Sequence, residues 1–145
     1  MPVLLPVTEE EIDVWLAGFE AGTLAKERFG SHAGNVLTGA CYVHRHGEAG
    51  ATDLLRERVK AFNVAVGGQN TATAGYHETI TVFWVKVLAG LRRECGEMPR
   101  AEFARVAVER FGGRREMLRE YYGFDVVASE EARRVWIAPD ARVLG

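Results

Sequence analysis

The sequence predicts an all-α protein, a single domain of five to six helices covering residues 1–145. Three observations carry that reading. Apolar residues recur at three- and four-residue spacing through most of the chain. Capping residues stand where those stripes begin, and glycines stand where they stop. No stretch alternates with period two: residues 124–127 are the one short β-like piece, and they read as loop. No repeat, low-complexity tract or long linker divides the chain.

Each helix can be justified in order. Thr8 and Glu11 have capping-box spacing, and Glu9, Glu10 and Glu11 suit a helix N-terminus. A first helix follows, with Ile12, Trp15, Leu16 and Phe19 on one face, fading near Phe29 and Gly30. Ser31 caps a second helix whose stripe is Val36, Ala40 and Val43, with His32 one turn earlier and the polar stretch 44–50 at its end. Gly34 and Gly39 inside it cost about 1 kcal/mol each relative to Ala, which points to close packing or an imperfect helix. Thr52 or Asp53 caps a third helix, with Leu55, Val59, Phe62 and Val66 inward and Gly67-Gly68 as its stop.

The fourth helix is expected from about Ala74 to Cys95. Ile80, Phe83, Trp84, Val87, Leu88 and Leu91 form its main face, and Val82, Val85 and Ala89 make the opposite side apolar too. A helix apolar most of the way round is a central one. Pro99 opens a fifth helix with Phe103, Val106, Ala107 and Phe111 inward, ended by Gly112-Gly113. A short sixth carries Met117, Leu118, Tyr121 and Tyr122, and Ser129 caps a last turn through Ala132, Arg133 and Trp136.

Composition narrows function by exclusion. The chain has 18 Lys+Arg against 20 Asp+Glu, a net charge of −2 that argues against nucleic acid as a partner. No apolar run approaches the roughly 20 residues that span a bilayer, and the opening MPVLLPVTEEE lacks the cationic flank of a secretory signal. Cys41 and Cys95 are too few for a disulfide scaffold and fit a reducing cytoplasm. Cys41 reads as a small buried hydrophobe, Cys95 as exposed, and neither as a nucleophile. The expectation is a cytoplasmic protein whose partner is a small-molecule substrate, with neither nucleic acid nor membrane involved. An uncovered helix face would make a homodimer interface.

Inward polar residues are the informative ones, because an apolar interior tolerates them only when they are paired or useful. His77 shares the face of Ile80, Trp84, Val87 and Leu88 and lies near a helix N-terminus, where the dipole disfavours imidazolium. A neutral imidazole there suits a general base or a metal ligand, and it equally suits a buried histidine bonded to a backbone carbonyl. His32, with Asn35 nearby, would converge on His77 and Glu78 if the second and fourth helices pack side by side. Two His and a carboxylate form an acid/base set or a metal-ligand set. The usual helical ligand spacings, His-x-x-x-His and Glu-x-x-His, are missing, so no cofactor is favoured and a divalent metal is the alternative.

Other groups have plainer readings. Glu78 in a first turn is favourable for local reasons alone, and Thr79 and Thr81 read as cap-proximal. His44 and His46 look like a solvated helix end. Arg133 and Arg134 beside Trp136 could clamp an anion or pair with nearby glutamates. Tyr121 and Tyr122 read as core. The loop 67–75 lacks the Lys-Ser/Thr ending of a P-loop and follows no strand, which excludes that nucleotide motif.

Phe29-x-x-His32-x-x-Asn35, Tyr76-His77-Glu78-Thr79-Ile80-Thr81 with Trp84 close behind, and Ser129-x-x-Ala132-Arg133 leading to Pro139-Asp140 together resemble a family of small, uncharacterised, all-helical bacterial proteins. The hexapeptide is the most specific part, and the resemblance covers about Phe29 to Asp140. That family's upstream element reads His-x-x-His, with its second His where Asn35 stands here. The departure counts against a metal site, since Asn is a poor ligand for zinc or iron. The resemblance implies a fold and candidate positions, and no reaction.

Three functions follow as expectations. The first is a small-molecule enzyme of lyase or isomerase type, cofactor-independent, in a bacterial specialised pathway. His77 would be base or acid, Glu78 would orient it, His32 would be its counterpart, and Asn35, Tyr76, Thr81, Trp84 and Arg133 would bind substrate. Cyclisation, isomerisation or elimination would suit such a pair. The second is a metal-dependent enzyme or metal-binding protein using His32, His77 and Glu78. The third is a non-catalytic ligand-binding or interaction module in which the polar cluster fixes helix register.

Overall fold

In a computed structural model, which describes residues 4–144, the chain forms seven α-helices and one 3-10 turn. They are α1 (Glu9–Ala21), α2 (Lys26–Phe29), α3 (His32–Ala65), α4 (Glu78–Cys95), α5 (Arg100–Phe111), α6 (Leu118–Tyr121) and α7 (Glu130–Arg134), with the 3-10 turn Arg115–Met117 before α6. The all-α expectation holds, and no strand occurs among the described residues. The opening Met-Pro-Val of the expected non-signal N-terminus lies outside the described residues.

Local chemistry sets the helix limits. Thr8 and Glu11 close a full capping box on α1. That helix stops at Ala21 and does not reach Phe29, because Gly22 takes a left-handed conformation (φ 75°) that ends the hydrogen-bond ladder. Ser31 caps α3 and Ser129 caps α7, as expected. The expected break at 44–50 shrinks to one residue, Gly47, whose φ of 75° and ψ of −178° divide α3 into two arms. That backbone conformation is essentially restricted to glycine. Arg58 in the second arm donates to the Tyr42 hydroxyl in the first at 2.8 Å, and Phe62 packs on Phe29 just before the first. The arms therefore lie side by side and antiparallel, joined without a loop.

Two apolar clusters share α4. The larger joins α1, both arms of α3 and α5 through Ile12, Trp15, Phe19, Val36, Phe62, Leu88 and Phe103. The smaller sits on the other side of α4, where Phe83 meets Met117, Leu118, Tyr122, Val126 and Ala132. The expectation of a helix apolar nearly all round is met, and it explains why α4 is central. Gly39 allows the first arm to approach α4: a Cβ there would come within 2.9 Å of Leu88 Cδ1. No described helix is long and apolar enough to cross a membrane.

Candidate functional site

The start of α4 differs from expectation. The helix begins at Glu78 instead of Ala74, and His77 is its N-cap. Residues before it are held in a turn, with Gly75 at φ 83°, where a Cβ would run into the Gln69 carbonyl oxygen. The His77 ring is buried and has both nitrogens engaged. Nδ1 accepts from the Ile80 backbone N–H at 3.1 Å, which fixes the tautomer with the proton on Nε2. That Nε2–H donates to the Val126 carbonyl at 2.9 Å. Burial holds the ring below the ordinary imidazole range, so it is neutral.

Glu78 does not orient His77. Its carboxylate takes a two-pronged contact from Arg56 (2.9 and 2.7 Å) and a hydrogen bond from the Tyr76 hydroxyl at 2.7 Å. The Arg56 guanidinium holds its pKa below the usual carboxylate range. Glu78 is thus an ionised anchor between the second arm of α3 and α4. Arg133 is spent likewise, donating to the Gly75 carbonyl at 2.7 Å. Arg134 and Arg45 stay on the surface, while His44 is no free helix end: its Nε2 bonds the Met98 carbonyl at 2.8 Å.

The remaining candidates do converge. A cavity of about 690 Å³ opens between the far ends of the two α3 arms, α4 and the 67–76 loop. His32, Asn35, Tyr76, His77, Thr81 and Trp84 all lie on its wall, and Glu78 and Arg133 do not. Apolar side chains fill out the wall, among them Val36, Leu55, Val59, Phe62, Ile80 and Leu88. That size and mixture suit a small organic ligand.

His32 is the group on this wall with chemistry to spare. Its Nε2–H donates at 3.1 Å to the carbonyl of Phe111, the last residue of α5, which also accepts from the Arg114 N–H at 2.9 Å. Nδ1 has no hydrogen-bond partner among the described residues and so presents its lone pair. The ring stands edge-on to Trp84, centroids 4.9 Å apart. Burial lowers its pKa, and the neighbouring Arg115 charge acts in the same direction. His32 is a neutral, oriented imidazole with one free nitrogen.

The alternative reading, a metal held by His32, His77 and Glu78, finds little support in their geometry. Both nitrogens of His77 are engaged, and the Glu78 carboxylate is paired with Arg56. Among the described residues no group of three or more His, Cys, Asp or Glu side chains is placed to hold a metal ion. Cys41 is buried and its thiol is pushed up to about 12, in keeping with a packing role. Lys26, Arg115, Arg119, Asn63 and Gln69 were not expected on the wall. Their surroundings in sequence carry no periodic or motif signal, and only the tertiary fold brings them together. No protein-family model, curated protein or solved structure matches the chain.

Proposed function

We propose that the chain binds a small, largely apolar organic molecule in the α3–α4 cavity and exchanges a proton with it through His32. One observation carries the reading: six residues singled out by their chemistry, from two helices and a loop, line a single cavity. His32 Nδ1 would take the proton, and the Phe111 carbonyl on Nε2–H would stabilise the imidazolium that results. Asn35 and Thr81 would hydrogen-bond the ligand's polar group, and Trp84 would cover its apolar body. Isomerisation, elimination or cyclisation needs no more than such a relay, so the reading requires no cofactor. A cytoplasmic, bacterial setting for a specialised pathway belongs to the same proposal, as does the family that the hexapeptide resembles.

The base has therefore moved from His77, where the sequence put it, to His32. Plain ligand binding is the second reading, favoured because His77 is wholly given to structure.

Diethyl pyrocarbonate, which acylates neutral imidazoles, tests the site. Peptide mapping should find His32 modified and His77 spared. Nile red, a neutral apolar dye, should bind and protect His32, and Val59→Trp should abolish both effects by filling the cavity. Dye binding that survives Val59→Trp, or His77 reacting ahead of His32, would overturn the proposal.

A further inference from the structure

Three cationic side chains, none of them marked by any sequence motif, line the cavity. Lys26 opens α2, Arg115 opens the 3-10 turn and Arg119 stands on α6, and all three lie on the wall; the wall's one carboxylate is Glu116. Glu116 is already bound to Arg119 at 2.6 Å. Neither Lys26 nor Arg115 has an ion-pair partner among the described residues. A chain with a net charge of −2 thus presents a cationic edge on its own cavity.

Another cleft among the described residues offers a comparison. It measures about 600 Å³ and is lined by Lys86, Arg93, Arg110, Arg114 and Arg142. Every one of these is held by a carboxylate: Lys86 and Arg93 by Glu48, Arg110 by Glu94, and Arg114 and Arg142 by Glu120. Among the described residues Lys26 and Arg115, on the apolar cavity, have no such match; Arg45 and Arg134 are likewise unmatched but stand on open surface, away from either cleft.

We infer that the ligand of the α3–α4 cavity is an organic acid, an apolar body bearing one carboxylate that lies at the Lys26–Arg115 edge. This rests on the proposed binding role and specifies its ligand class. Val36, Leu55, Val59, Phe62, Ile80 and Leu88 offer a body many carbon contacts. The unpaired cations on the wall are Lys26, at the start of the α2 turn that leads into α3, and Arg115, whose charge acts on His32 at the start of α3. A ligand with charge at one end matches that layout, whereas a polyanion or a cation does not.

Octanoate, octanol and octylamine share one apolar body and separate head group from cavity. Calorimetry with the whole protein should show octanoate binding about fivefold more tightly than octanol, as two partly exposed charges allow, with octylamine weakest. The octanoate preference should shrink with added salt and disappear in the double variant Lys26→Gln, Arg115→Gln, while octanol affinity stays put. Both substitutions are on the surface, and an unchanged melting temperature would confirm that the fold is intact. Octanol binding as well as octanoate would overturn the organic-acid assignment and leave the cavity reading standing. A preference that survives the double variant would also overturn it. Failure of all three probes to bind would remove the cavity reading, and this inference with it.

Discussion

The two sides of α4 are held by different physics. On one side, α1, α3 and α5 bury large apolar groups: Phe19 stacks on Phe29 at 4.6 Å and meets Phe62 at 5.5 Å, with Tyr42 edge-on at 6.2 Å. On the other side, residues 122–141 have little helix and are tied down by directed hydrogen bonds. Thr79, fully buried, donates to the Val135 carbonyl at 2.7 Å and accepts from the Ile137 N–H at 3.0 Å. His77 holds the Val126 carbonyl, Tyr122 donates to the Ile137 carbonyl, and Asp140 accepts from the Gly123 N–H. A chain segment too irregular to satisfy its own backbone is stabilised by side chains that satisfy it. The two histidines divide along the same line: His77 belongs to the strapped side and has no freedom, while His32 faces the cavity and keeps a nitrogen.

The largest test of this contrast is Phe19→Ala. Truncating that ring should cost about 4 kcal/mol, and hydrogen exchange should speed up throughout the chain. Thr79→Val keeps the shape and strands a buried carbonyl and N–H, costing about 3 kcal/mol. Its effect should be local, with faster exchange at residues 122–141 and little change in α1 and α5. If α1 amides exchange faster as well, the two sides are one cooperative unit and the contrast fails. His77→Ala should cost about 2 kcal/mol, because it removes a cap and orphans the Val126 carbonyl. His77→Asn, which keeps a capping acceptor, should recover about half of that.

The smallest effect is a pH dependence. Burial sets the native His77 pKa below the ordinary 6.5. As pH falls through 6.5 the unfolded chain takes up a proton that the folded protein resists, so stability is complete above that value and declines toward the depressed native pKa. His32 shifts in the same direction and adds to the slope. Protonation of Nδ1 would also remove the acceptor that caps α4. Melting temperatures across about pH 5–8 should fall on the acid side, and His77→Asn should flatten the curve. A wild-type curve flat below 6.5 would contradict the buried, neutral ring.

Helix existence was legible because stripes and caps are local. Thr8, Ser31 and Ser129 cap where the sequence placed them, and the double-sided apolar pattern of α4 correctly marked it as central. Helix ends were read less well where glycine torsions decide them, since the sequence does not reveal that Gly22 and Gly47 take positive φ. Polar positions were found, but not their duties. His77 carries the same local signature whether it is a base or a cap; the choice depends on Val126, 49 residues away. Arg56 determines the role of Glu78 from 22 residues away in the same manner. Thr79 looked like a helix-start residue and proved to be the main strap of the C-terminal segment. The cationic edge left no local trace, because Lys26 and Arg115 become neighbours of one cavity only through the fold.

Gly47 joins the arms of α3 at one end, and the cavity lies at the other. Val59 and Val66 stand 12 and 19 residues beyond it along the second arm, a lever of roughly 20–30 Å at 1.5 Å per residue. A rotation of about 5° at that single residue displaces the far end by roughly 2 Å, about the radius of a methyl group. Tweezers work on the same geometry: the pivot is small, remote and untouched by whatever the tips grasp.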